Sequence, residues 1–348
     1  MFIATVKKIS FALLMASPLL WSGCSTDFDI NADWQDIAVV YALLDNSDTA
    51  QYVKVNRAFL GDADAYEMAS IKDSIYYDEA RVFLTPVQNG TPQTSQRIEL
   101  IMTDEIQKDS GDFYFEENYL YKTTQAVIPG STYNLEVQVP GKELITSTTN
   151  VISGLHVTNP AAGSQIKVSF ANFFGYTDYI GEVALNIDGL LYGLTIRFNY
   201  REYYQDSVVL KSLDWVQASK KKEYVAGSQT NFVEWTISGE EFYWFIGQKI
   251  TPEEAVIFRE FESLDFIYST AGQELVSYVE TNGPSQGVVQ EKPFYTNIVN
   301  GVGLFSSRYT KIVSDKILTD FSIDRLACDD QTKQLLFKNS AGEVNPCD

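Results

Sequence analysis

The sequence has 348 residues, with 26 Lys and Arg against 46 Asp and Glu, a formal charge of −20 and a pI near 4.4. Such an acidic surface repels phosphate backbones and anionic headgroups, which excludes nucleic-acid binding and broad electrostatic adhesion to membranes. A hydrophobic fraction of 45% excludes a disordered acidic chain, and a single His with three Cys removes much of the commonest general-base and metal-ligand chemistry.

The first segment reads as a targeting signal covering residues 1–23. Lys7 and Lys8 are followed by the short apolar run Phe11–Leu20, too short to span a bilayer and interrupted by Pro18. Trp21-Ser22-Gly23-Cys24 then resembles a bacterial lipoprotein lipobox, with Trp21 where such motifs usually carry Leu. The resemblance implies lipidation at Cys24, and Ser25 after it is similar to sorting to the outer membrane. Asp27 and Asp29 resemble the acidic tether of surface lipoproteins in Bacteroidota, and a solvated tether over residues 24–36 explains them equally. Removing residues 1–23 takes away two lysines and no acid, so the remainder carries −22. The chain is thus expected to be held to the outer membrane by lipid, on its periplasmic or outer face.

From Ile37 the pattern becomes that of strands. The apolar run Ile37–Leu44 and the alternating Gln51–Phe59 flank a turn cluster at Asp45–Asp48. Further strands are predicted at Ala80–Thr85, Gln96–Thr103, Tyr119–Ile128, Thr132–Val139 and Leu144–Val151, separated by Asn89-Gly90, Pro129-Gly130 and Pro140-Gly141. Strands so short and regularly spaced predict a β-sandwich over residues 37–158. Pro129–Val139 resembles the tyrosine-corner strand of fibronectin type III and other immunoglobulin-like domains, which would make Tyr133 the corner residue and bury Leu135, Val137 and Val139.

Asn159-Pro160-Ala161-Ala162-Gly163 reads as a junction to a larger, antiparallel β-rich domain over residues 159–348. Leu191–Tyr204 alternates through Leu194, Ile196, Phe198 and Tyr200. Asn231–Ile237 leads into a helix announced by the capping box of Ser238 and Glu241 and ended by Pro252. A second short helix is predicted over Thr270–Glu280. The fold class is therefore mainly β, with one or two short helices.

In an oxidising compartment Cys328 and Cys347 are predicted to pair, stapling the C-terminal tail; closing a loop of about 20 residues stabilises by about 3 kcal/mol. Over residues 24–348 the chain resembles an uncharacterised family of Bacteroidota envelope lipoproteins often encoded beside TonB-dependent receptors. The likeness rests on Val39-Val40-Tyr41, the strand around Tyr133, and Asn297–Arg308. It implies an envelope location and a TonB-dependent receptor as partner, and supplies no catalytic residue.

Few residues point to chemistry. His156 has no accompanying Gly-x-Ser-x-Gly elbow and reads as a surface or packed residue. Asn300-Gly301-Val302-Gly303 lacks the third glycine and the Lys of a phosphate loop, and reads as a bulge or turn where backbones pack closely. Asp62, Asp64 and Glu67 are spaced at first like calcium ligands but lack the remaining ligands, so a solvated loop is the competing reading. Aromatic residues make up 14% of the chain, and Trp215, Trp235 and Trp244 are candidates for a sugar-stacking or peptide-binding platform, with core packing as the alternative. Lys220-Lys221-Lys222, the only basic run, reads as a hairpin tip. Thr49, Ser74 and Ser207 each follow Asp and precede an apolar residue, resembling the O-glycosylation signal of Bacteroidota envelope proteins. The expected function is non-enzymatic and cofactor-free: a lipid-anchored binding or accessory module serving a receptor. A glycan-binding protein is the alternative, and a carboxylate-based hydrolase the third reading.

Overall fold

The computed structural model describes residues 36–58, 65–163, 166–222, 231–283 and 294–347. The signal segment, Cys24, the tether up to residue 35, Asp62 and Asp64 lie outside the described residues. Strands β1 (Ile37–Leu44) and β2 (Gln51–Ala58) form a hairpin whose turn is held by the Asp45 carboxylate, which accepts from the Ser47 N–H and hydroxyl at 2.9 and 2.5 Å. Two single-turn helices, α1 (Ala65–Ala69) and α2 (Lys72–Ile75), precede β3 (Arg81–Gln88), β4 (Ile98–Thr103), β5 (Leu120–Thr123), β6 (Thr132–Gln138) and β7 (Ile145–Asn150).

These strands run in the order β1-β2-β5-β4-β3-β6-β7. Strand β4 turns the corner between the two layers: Ile98–Leu100 pair with β3, and Ile101–Thr103 pair with β5. Val40, Val53, Val55, Val82, Leu84, Leu135 and Val137 meet in one core between the layers. Tyr133 is buried there, and its hydroxyl accepts the Ile128 N–H at 3.1 Å, five residues upstream, which is the geometry of a tyrosine corner. Strand β5 is shorter than the predicted Tyr119–Ile128, because the Gln125 N–H bonds the Thr123 hydroxyl and turns the chain away.

The second half contains the short strands β8 (Val157–Asn159), β9 (Ala171–Asn172), β10 (Gly175–Tyr176) and β11 (Tyr179–Ala184). They are followed by the long pair β12 (Leu191–Tyr203) and β13 (Val208–Val216), then β14 (Phe232–Ile237) and helix α3 (Gly239–Lys249). Strand β15 (Phe258–Ala271), helix α4 (Gln273–Asn282), strand β16 (Val302–Leu318) and helix α5 (Asp320–Cys328) complete it. Strand β15 pairs between β12 and β16, while β14, β11 and β8 make a separate three-stranded sheet. Alternation sends Tyr192, Leu194, Ile196 and Phe198 into a second core with Phe266 and Tyr268 of β15, and α3 closes it with Phe242, Tyr243 and Ile246. The Ser238 hydroxyl accepts the Glu241 N–H at 3.3 Å, the contact that its spacing predicts. Helix α4 begins three residues past Thr270, because Thr270 and Ala271 still pair in β15.

Strand β16 spans both halves. Val302–Ser307 run parallel to β1, and Arg308–Lys316 run antiparallel to β15. Its Phe305 enters the first core, and its Val313 and Leu318 enter the second. The junction around Asn159–Gly163 thus lies between β8 and β9, while a strand from far along the chain completes the sandwich. The close approach occurs at Gly303, which has φ +125°, and a Cβ there would lie 2.0 Å from the Val40 carbonyl oxygen. Only glycine lets β1 and β16 meet at this point.

Candidate functional site

Helix α3 has two faces. Phe242, Tyr243, Phe245 and Ile246 are buried, leaving Glu240, Glu241 and Trp244 on the solvent side. Those three occupy neighbouring turns, so the two carboxylates stand beside an indole that is 54% exposed. Trp215, near the end of β13, lies alongside, stacked on Phe245 with ring centroids 5.5 Å apart.

Two glycines bring further residues to this face. At Gly239 a Cβ would sit 2.3 Å from the Phe170 carbonyl oxygen and 2.4 Å from that of Thr177, so the start of α3 packs directly on the β9–β10 hairpin that carries Tyr176. At Gly247 it would sit 2.3 Å from the Gln331 carbonyl oxygen, so the turn after α5 packs on the helix's last turn. Tyr176, Trp215, Glu240, Glu241, Trp244 and Gln331 together line a groove of about 640 Å³.

The Tyr176 hydroxyl donates to Asp329 at 2.6 Å, and the Arg325 guanidinium lies 4.8 Å from its ring centroid. That hydrogen bond to Asp329, with burial adding to it, pushes the phenol up to about 12. Tyr176 is therefore a fixed wall rather than a proton donor to anything in the groove. What faces solvent is an exposed indole, two carboxylates and a primary amide. Flat π surfaces receive the C–H face of a sugar ring, and carboxylates and amides hydrogen-bond its hydroxyls.

The other predicted residues are dispersed. Trp235 does not belong to the platform: it is 3% exposed, packs against Tyr268 on the inward face of β14, and its Nε1–H donates to the Ala218 carbonyl at 2.9 Å. Glu67 is exposed at the start of α1, and no group of three metal-ligating side chains occurs among the described residues. Thr49 and Ser207 are exposed in turns, whereas Ser74 is half-buried in α2. His156 is exposed beside Ser153 and Asn186, in a depression with no carboxylate among its described lining residues. Lys220 and Lys221 are not a hairpin tip; they pair as an edge segment with the start of β12, and Lys221 forms an ion pair with Glu280. Cys328 and Cys347 are disulfide-bonded. The tail they close is no loose appendage, since Leu335 and Phe337 enter the second core.

Glu240, Tyr176 and Gln331 escape a sequence reading, because their convergence depends on contacts across the fold. Gly239 and Gly247, eight residues apart in an otherwise aromatic helix, are the signal that another chain segment approaches closely on each side. Compared with protein-family models and with curated proteins, the chain has no match.

Proposed function

We propose that the protein is a non-enzymatic, lipid-anchored envelope protein whose groove on α3 binds a glycan. The observation that carries this reading is Trp244, held half-exposed beside Glu240 and Glu241 and facing a wall of Trp215, Tyr176 and Gln331. A large aromatic side chain kept in solvent at a built groove is unusual where the same helix buries its other aromatics, and aromatic anchors dominate recognition sites. Binding rather than hydrolysis is favoured by the placement of the acids. Two-carboxylate hydrolysis flanks the scissile bond, but Glu240 and Glu241 are consecutive on one helix, and no carboxylate stands opposite them among the described residues lining the groove. The anchor at Cys24 and the outer-membrane location enter this proposal from the sequence alone. A glycan array probed with the chain from Cys24 onward tests it: saturable binding to a defined set of sugars is expected, and a blank array rejects the glycan.

A second reading, an accessory protein docking on a TonB-dependent receptor, is favoured by the β9–β10 hairpin. Its tip presents Phe173 and Phe174 at 80% and 93% exposure. Neighbouring exposed phenylalanines on a two-residue turn form a compact hydrophobic knob. Purification from native membranes separates the two readings: a receptor that co-purifies, and is lost on Phe173→Ser with Phe174→Ser, supports docking, and recovery of the lone protein counts against it.

A further inference from the structure

A second cavity, of about 590 Å³, lies on the outer face of β2, beside α2 and against the chain from Gln107 to Phe113. In a chain of charge −20 its walls are basic: Lys54, Arg57 and Lys108 face it against one carboxylate, Asp109. Arg57 is already paired, with its Nε 3.3 Å from Asp36, a carboxylate it shares with Lys142, and its guanidinium 4.6 Å from the Tyr77 ring centroid. The two lysines are not. Among the described residues Lys108 Nζ donates only to uncharged oxygens, the Tyr76 hydroxyl at 2.9 Å and the Tyr114 carbonyl at 3.1 Å. Lys54 Nζ has neither a hydrogen bond nor an ion pair among the described residues, and Asp109 is exposed and paired with neither lysine.

Lys72, Lys122 and Lys142, elsewhere on the same half of the fold, each hold a carboxylate, whereas these two lysines hold none among the described residues. Burial, and then the charge of Lys108, push the Lys54 ammonium below its ordinary range, and burial does the same to Lys108. Asn56 Oδ1 is also buried in this region without a donor. Two half-buried like charges and an unmet acceptor at one cavity are all relieved by the same kind of guest.

We infer that this cavity is an anion-binding site, in which Lys54 and Lys108 take a ligand's carboxylate or phosphate oxygens and Asn56 accepts from its hydroxyl or N–H. Phe113 and Ile75 supply the apolar part of the wall. The site is independent of the groove on α3 and stands or falls separately.

Thermal melting of the full chain in sodium phosphate and in sodium malate, each against sodium chloride of equal ionic strength, tests the assignment. At least one of the two is expected to raise the melting temperature saturably above the chloride value. A response to phosphate alone assigns a phosphate group, and one to malate alone assigns a hydroxycarboxylate. Lys54→Met and Lys108→Met are each expected to weaken the response by about tenfold or more, the loss of a hydrogen bond to a charged group. The ligand-free melting temperature of Lys54→Met should stay at or above that of the parent, because it removes an unpaired charge, whereas Lys108→Met also gives up the hydrogen bonds to Tyr76 and Tyr114. Responses no larger than chloride for both anions, or responses undiminished in both variants, overturn the inference. If Lys54→Met fails to fold, Lys108→Met, on the exposed covering segment, decides alone.

Discussion

Arg259 and Glu202 are each 1% exposed, and they show how single residues hold the second half together. Arg259 donates to Glu202 at 2.8 Å and to the Leu335 carbonyl at 2.7 Å, tying β15 to β12 and to the C-terminal segment. Lys211 and the Tyr204 hydroxyl also reach Glu202, at 2.5 and 2.8 Å. Burial alone would raise the Glu202 carboxyl, but these hydrogen bonds outweigh it and hold the group below its ordinary value of 4.5. A depressed carboxylate contributes stability that is fully present above the unfolded-state value and is lost as pH falls through the lower folded value. Glu202→Gln is therefore expected to cost about 3 kcal/mol at pH 7, the penalty of leaving a buried guanidinium unpaired. The cost should shrink below about pH 4, which urea melts at the two pH values would show. A loss that does not change with pH would mean that packing, not charge, dominates at this position.

Among elements, strand β16 and helix α3 carry the most. Replacing Gly303 by Ala places a Cβ against the Val40 carbonyl at a left-handed φ, and the expected loss is about 3 kcal/mol or more, measured by chemical denaturation. A neutral Gly303→Ala would show that β1 and β16 can separate without cost. The C-terminal loop offers another test, since it carries Gln331 into the groove and is closed by Cys328 and Cys347. The double variant Cys328→Ser with Cys347→Ser should lose about 3 kcal/mol of stability and weaken any groove ligand, as seen by melting and by titration. Undiminished binding would place the ligand elsewhere.

The same elements show what a sequence reveals. The β1–β2 hairpin, the Tyr133 corner and the capped start of α3 are legible because each rests on local spacing: a turn cluster, a strand entry, a Ser followed by Glu three residues later. Helix α5 is not legible. It buries only Ser322, Leu326 and Ala327, and it is fixed from outside, its Ser322 hydroxyl accepting the backbone N–H groups of Phe170 and Ala171. The division of β16 between two cores is equally hidden, since alternation in one strand does not say which partner each half has. Trp235 and Trp244 look alike in sequence, yet one faces inward from a strand and the other outward from a helix.

For the whole molecule, the charge of −20 is not evenly spread in its consequences. Acids line the aromatic groove on α3, where they suit hydroxyls, while lysines line the cavity on β2, where they suit anions. As proposed, the two sites select different chemistry on one chain, and β16, shared by both cores, links the parts of the fold that bear them. The glycan reading depends on one exposed side chain. Titration of the strongest array ligand into the parent chain and into Trp244→Ala addresses it most directly. The expected result is an affinity loss of about tenfold or more with stability unchanged within about 0.5 kcal/mol, because Trp244, 54% exposed, is the proposed ligand contact and stands outside the buried core. Equal affinity in the two proteins would contradict a glycan site on this helix.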